Sequence, residues 1–139
     1  MIHKTTQLSL PSRLETVERV AAVANDIAAR CGFDADAIFG IELAVREAVS
    51  NAVLHGNRED ETKPVEVSFT DSGANLTIII RDHGAGFDPA EVPDPTRAEN
   101  LLNPSGRGLL FIRTFMDEVA WMRHPGGGMV VRMVKRRPR

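Results

Sequence analysis

Only one cysteine, Cys31, stands among the 139 residues, so the chain has no internal disulfide framework. That scarcity suits a reducing compartment. Long apolar runs are missing too. No stretch approaches the ~18 apolar residues of a membrane span, and the start, "MIHKTTQLSL", has the pattern of neither a signal peptide nor an anchor. The expectation is a cytoplasmic protein with no membrane partner. Nor is positive charge in excess. A net charge of -2 argues against direct binding of nucleic acid, which selects for basic surfaces. The one basic cluster, Lys135, Arg136, Arg137 and Arg139, reads as a solvated tail. His3, His55, His83, His124 and Cys31 are scattered, without the close spacing of zinc ligands. No internal repeat is present.

What remains is ordinary globular material: 42% hydrophobic and 26% charged residues. The length predicts a single domain over residues 1–139. A chain of this size buries on the order of two-thirds of its unfolded surface.

The segment "KTTQLSL" alternates weakly and reads as a strand. In "PSRLETVERVAAVANDIAARCG", Ser12 and Glu15 have the spacing of a capping box. Leu14, Val17, Val20, Ala21, Ala24, Ile27, Ala28 and Cys31 then recur at three and four, and Gly32 stops the helix. Asp34 is placed to cap a second helix reaching about His55, with Ile38, Ile41, Val45, Ala48 and Ala52 on its core face. "VEVSFT" and "NLTIIIRD" flank the turn "DSGA" as a hairpin, Val65, Val67 and Phe69 facing the core. The stretch "HGAGFDPAEVPDPTRAENLLNPSGRG" has no sustained apolar period and reads as a long functional loop. "LLFIRTFMDEV" resumes as a helix from near Gly108, and "VAWMRH" and "GMVVRMVKR" form a second hairpin around "PGGG". The order β-α-α-β-β-loop-α-β-β implies an α/β two-layer sandwich, a mixed, mostly antiparallel sheet with helices on one face. A Rossmann fold is excluded: "GAGFDP" lacks the third glycine, and no βαβ crossover surrounds it.

Three places carry candidate chemistry. On the second helix, Glu47, Asn51 and His55 recur at steps of four, which puts them on one face. At roughly 100° per residue that stripe runs beside the core face. Gly40 and Ala44 project onto it and leave space. An asparagine oxygen can complete a Mg²⁺ shell shared with phosphate oxygens and water. A carboxylate one turn away can orient or deprotonate a hydroxyl attacking phosphorus. A buried polar pair bonding locally explains the stripe equally well, and His55 fits a structural or supporting role. Second, Asp82 ends a strand ahead of Gly84 and Gly86. It can accept a hydrogen bond from an amino group such as that of adenine, with glycine backbone close to the ring. An ordinary strand-end turn has the same D-x-G-x-G pattern. Third, Gly106 and Gly108 open a helix with Arg107 between them. Free amides and the helix dipole bind phosphate there. A glycine-rich helix entry with a solvated arginine is the plainer account.

Taken in order, these motifs resemble the ATP-binding domain of the gyrase, histidine-kinase and MutL superfamily (GHKL, the Bergerat ATP-binding fold), from about Leu14 to Val134. "ELAVREAVSNAVLHGN", "DHGAGFDP" and "GRGLLFIRTFMDEV" look most like small bacterial anti-sigma factors that are also serine/threonine protein kinases. The resemblance implies ATP and Mg²⁺ as cofactors. It implies Asn51 as magnesium ligand, Glu47 as general base, and Asp82 on the adenine amino group. Gly84 and Gly86 would flank the base, Asp88 to Ser105 would form a lid, and Gly106, Arg107 and Gly108 would hold phosphates. The implied partners are a sigma factor and a STAS-domain anti-anti-sigma protein phosphorylated on serine, and a homodimer is compatible. Three rivals stay open at this level: a nucleotide-binding regulator without turnover, a histidine-kinase catalytic domain acting in trans, and an interaction module with a retired ATP site.

Overall fold

The computed structural model describes residues 4–84 and 112–138. Strand β1 (Lys4–Pro11) leads into helices α1 (Leu14–Arg30) and α2 (Ala35–Asn51). β2 (Pro64–Asp71) and β3 (Asn75–Arg81) follow, then β4 (Glu118–Arg123) and β5 (Met129–Arg136). The spatial order is β1-β2-β3-β5-β4, and every one of these pairings is antiparallel.

The alternation expected of β2 holds. Val65, Val67 and Phe69 are buried. Phe69 faces Ile78 and Val67 faces Ile80 across the β2–β3 ladder, and Ile78 and Ile80 face Met133 and Val131 across β3–β5. This apolar row packs with Val20, Ala24 and Ala28 of α1 and Ile41, Val45 and Val49 of α2 in one core. Each large side chain so buried contributes about 1.5–3 kcal/mol. The other face of β2 carries Glu66, Ser68 and Thr70, which remain half-buried. Helices on one face of an antiparallel sheet are thus what the periodicities produce.

Helix ends follow local chemistry in two cases and tertiary structure in a third. Asp34 caps α2, its Oδ1 accepting from Ala37 N at 2.8 Å. Gly32, at φ +87°, ends α1 where a side chain would be strained. The capping box at Ser12 does not form. Arg13 is the N-cap and makes no side-chain cap bond, while the Ser12 hydroxyl donates to Lys63 O and accepts from Asn57 Nδ2 at 2.7 Å. Tertiary partners out-compete the local one. Leu14, expected in the core, is 60% exposed at the helix entry.

Two further expectations are corrected. The helical stretch before β4 is described over 112–115 and stops there, because Glu118 and Val119 pair with β5 as strand. Lys135, Arg136 and Arg137 are built into the fold and not a solvated tail, and Arg139 lies outside the described residues. Lys135 and Arg136 end β5. Lys135 Nζ donates to Phe115 O at 2.9 Å, and Arg137 donates to Cys31 O at 2.8 Å and pairs with Asp71 at 3.2 Å.

The space expected beside Gly40 is filled by Phe115. A Cβ on Gly40 would lie 2.6 Å from Phe115 Cδ1. Phe115 also meets Phe39 edge-on, with centroids 6.4 Å apart. Gly40→Val is therefore expected to overpack this contact and destabilise the fold by about 1–3 kcal/mol, read as a lower urea midpoint with an unchanged m-value. A parental midpoint would show that the ring moves aside freely.

Candidate functional site

The C-terminal half of α2 offers Glu47 and, one turn on, Asn51, both half-buried. Burial pushes the Glu47 carboxyl above the usual carboxylate range, with desolvation as the cause. After Asn51 the helix widens into a π-helical turn, Ala52–Gly56, closed by Asn57 N on Ala52 O at 2.8 Å. Such turns concentrate at functional sites. The widening ends the α-helical register before His55, which is exposed, so the expected stripe is two residues long and not three.

Asp82 follows the last residue of β3 and is 3% exposed. Its backbone N–H donates to Met129 O at 3.0 Å, extending the ladder by one bond. Its Oδ1 accepts from Gly84 N at 3.0 Å and Met129 N at 3.1 Å. Oδ2 lies against Gly56, where a Cβ would come within 2.1 Å of it. A Cβ on Gly84 would strike Gly56 O at 1.6 Å, and one on Gly128 would strike Asp82 O at 1.9 Å. Three glycines thus let backbone close around one buried carboxylate. Gly84 was expected to make room for a ring; what it makes room for here is the end of the π-turn. The parts played by Gly56 and Gly128 were not anticipated.

Asn51 and Asp82, from a helix and a strand end, line one cleft. Ala48 and Ala52 give it a small-residue wall on the helix side, and Ile80, Val131 and Trp121 an apolar wall on the sheet side. Trp121 enters because β4 sets it opposite Val131 on β5. The Arg113 guanidinium stands over its ring, 5.3 Å from the centroid. An apolar cleft with a few polar groups in its lining is the general form of a small-molecule site, and this one encloses about 20 Å³. Gly86, Gly106, Arg107, Gly108 and the stretch 88–105 lie outside the described residues.

Among the described residues no group of three or more His, Cys, Asp or Glu side chains could hold a metal ion. The donor set at the cleft fits a different arrangement. Mg²⁺ commonly takes one or two protein oxygens and completes its shell with phosphates and water. The neutral carboxamide of Asn51, lining the cleft opposite an apolar wall, suits that division.

Sequence reasoning also missed Asn57. It is 1% exposed, and its side chain holds four hydrogen bonds, to Ser12, Lys63, Pro64 and His83. The signal available was only an asparagine after a glycine at a helix end.

The model of the histidine kinase-like ATPase domain matches residues 10–135. Serine-protein kinase RsbW of Bacillus subtilis (strain 168) is 30% identical over 135 residues, covering 93% of this chain and 83% of the relative. Its namesake in Bacillus licheniformis is 32% identical over 119 residues, covering 81% of this chain and 74% of the relative. That of Listeria innocua is 29% identical over 139 residues, at 94% and 87%. Among solved structures, the RsbU and RsbW domains of a Mycobacterium tuberculosis protein superpose with a TM-score of 0.71 at 22% identity, over 98% of this chain and 33% of that one. This last likeness carries the fold.

Proposed function

This chain belongs to the histidine kinase-like ATPase family, and from that premise we propose that it is an anti-sigma serine-protein kinase. It takes Mg-ATP and transfers phosphate to a serine of a STAS-domain partner in the cytoplasm. Its hold on a sigma factor then depends on which partner is bound. The observation that carries this reading is the shared cleft of Asn51 and Asp82. No simple sequence spacing requires residues from α2 and the end of β3 to share a cleft, and here they line the same one together with apolar side chains of the sheet.

Each residue has a part in the reading. Asp82, held rigidly through Oδ1, offers acceptor character to an exocyclic amino group. Asn51 supplies one oxygen to Mg²⁺, which when bound would offset phosphate charge. Glu47, its basicity raised by burial, accepts the proton of the attacking serine hydroxyl. Gly86, Gly106, Arg107 and Gly108 belong to the base and phosphate contacts in the same proposal.

The test is transfer of label from γ-labelled ATP to STAS-domain proteins of the native host, with Glu47→Ala as control. Acid-stable label on serine is the expected result. Acid-labile label on histidine, or none, would defeat the reading.

Asp82→Asn supplies a separate check. The amide can keep its oxygen on the Gly84 and Met129 amides only by turning its NH₂ toward Gly56. Affinity for ADP is expected to fall about 10- to 100-fold, the cost of a lost charged acceptor. Trp121, the only tryptophan and a wall of the cleft, gives the fluorescence readout. Equal ADP affinity in variant and parent would remove Asp82 from the base contact.

A further inference from the structure

The direction of the Asp82 carboxylate depends on the two peptide planes that flank its Cα. The preceding plane is fixed by the sheet, through Asp82 N on Met129 O at 3.0 Å. The following plane, between Asp82 and His83, has left the ladder. Its N–H donates to Asn57 Oδ1 at 2.7 Å. Its carbonyl is the oxygen packed against Gly128.

Asn57 is itself fixed from the opposite end. Its Nδ2 donates to Ser12 Oγ at 2.7 Å and to the carbonyls of Lys63 and Pro64, each at 3.0 Å. Acceptors surround the nitrogen and an amide donor meets the oxygen, so the carboxamide has one satisfactory orientation. The side chain thereby ties the β1–α1 junction, the entry to β2 and the end of the π-turn to the residue after Asp82. His83 is held a second time, its Nε2 2.8 Å from Glu66 Oε2.

We propose that Asn57 is a positioning residue for base recognition: it locks the Asp82–His83 peptide and so aims the Asp82 carboxylate into the cleft. The proposal rests on Asp82 reading the base amino group. It separates two effects of one side chain. The Nδ2 bonds hold the fold together, whereas the Oδ1 bond sets selectivity.

The experiment compares affinities for ADP and inosine diphosphate, which lacks the amino group, alongside thermal melts of each variant. The parent is expected to prefer ADP, and Asp82→Asn to lose that preference. Ser12→Ala, which removes one Nδ2 partner and leaves Oδ1 in place, is expected to lower the melting temperature while keeping the ADP preference. Asn57→Ala is expected to lower both, the preference by about tenfold. Asn57→Asp keeps an acceptor for His83 N–H and is expected to restore the preference despite a lower melting temperature. A folded Asn57→Ala with the parental preference overturns the proposal. Should that variant not fold, a folded Asn57→Asp without the preference overturns it. If the parent does not discriminate, or Asp82→Asn matches it, the base assignment itself has failed and the proposal falls with it. Discrimination lost in Asp82→Asn but intact in Asn57→Ala removes the positioning role alone.

Discussion

Glu47→Gln is expected to bind ADP with parental affinity and to transfer phosphate to serine about 10²- to 10⁴-fold more slowly, the usual contribution of a positioned base. The substitution is nearly isosteric and removes only the ability to accept a proton. Glu47 is half-buried one turn before Asn51, and burial is the cause that raises its pKa. That gives a pH signature with a definite sign. A base must be ionised to act, so the acidic limb of the transfer rate should lie above the ordinary carboxylate range. The limb should vanish in the glutamine variant, leaving a slow residual rate. Single-turnover transfer across pH, with binding measured in parallel, checks both statements. A parental rate in Glu47→Gln would remove the carboxylate from proton transfer, and weakened ADP binding would make it a binding group instead.

Much of the architecture was legible because it rests on short-range patterns. Val65, Val67 and Phe69 alternate, and their faces are fixed by that alternation alone. Asp34 caps α2 through a bond three residues away, and Gly32 ends α1 through its own backbone angle. Asn51 and Asp82 could be singled out by residue type and by position on a helix and at a strand end. Their meeting could only be expected from the resemblance, since it depends on how α2 lies over β3 and β5.

The unread features are those with remote partners. Ser12 satisfies the local capping pattern, yet its hydroxyl is taken by groups 45 and 51 residues away. Asn57 reaches 45 residues back and 26 forward. Gly128 sat in "PGGG", which explains a turn well enough that its second constraint, contact with Asp82, left no trace. The π-turn at Ala52–Gly56 displaced His55 from a stripe that uniform α-helical geometry would have kept. At Ser12 tertiary contact overrode a sound local rule, and at the other three the constraint adds to what the local pattern shows. Three of the four exceptions, Asn57, Gly128 and the π-turn, gather around Asp82. A site that must hold a buried carboxylate in one direction uses contacts which local propensity does not favour.

Asn51→Ala should produce the loss most specific to metal-assisted transfer. The position ends α2 with ordinary helical angles, φ -62° and ψ -40°. Alanine is a better helix former there, so the fold should persist. What disappears is one neutral oxygen donor at the cleft. If that oxygen holds Mg²⁺, serine phosphorylation should fall on the order of a thousandfold, comparable to removing a preorganised group that stabilises transition-state charge. ADP affinity without Mg²⁺ should change little, because Asp82 and the apolar wall are untouched. The increase in affinity that Mg²⁺ gives the parent should be absent, which separates loss of the metal contact from general damage to the cleft. Asn51→Asp keeps an oxygen in place and should recover part of the rate. Trp121 fluorescence titrations with and without Mg²⁺, and transfer assays over a range of Mg²⁺ concentrations, measure these quantities. Parental transfer by Asn51→Ala would show that the metal is held elsewhere and leave Asn51 as a cleft-lining residue only. A rate that fell equally in Asn51→Asp and Asn51→Ala would argue that the carboxamide NH₂, and not its oxygen, does the work.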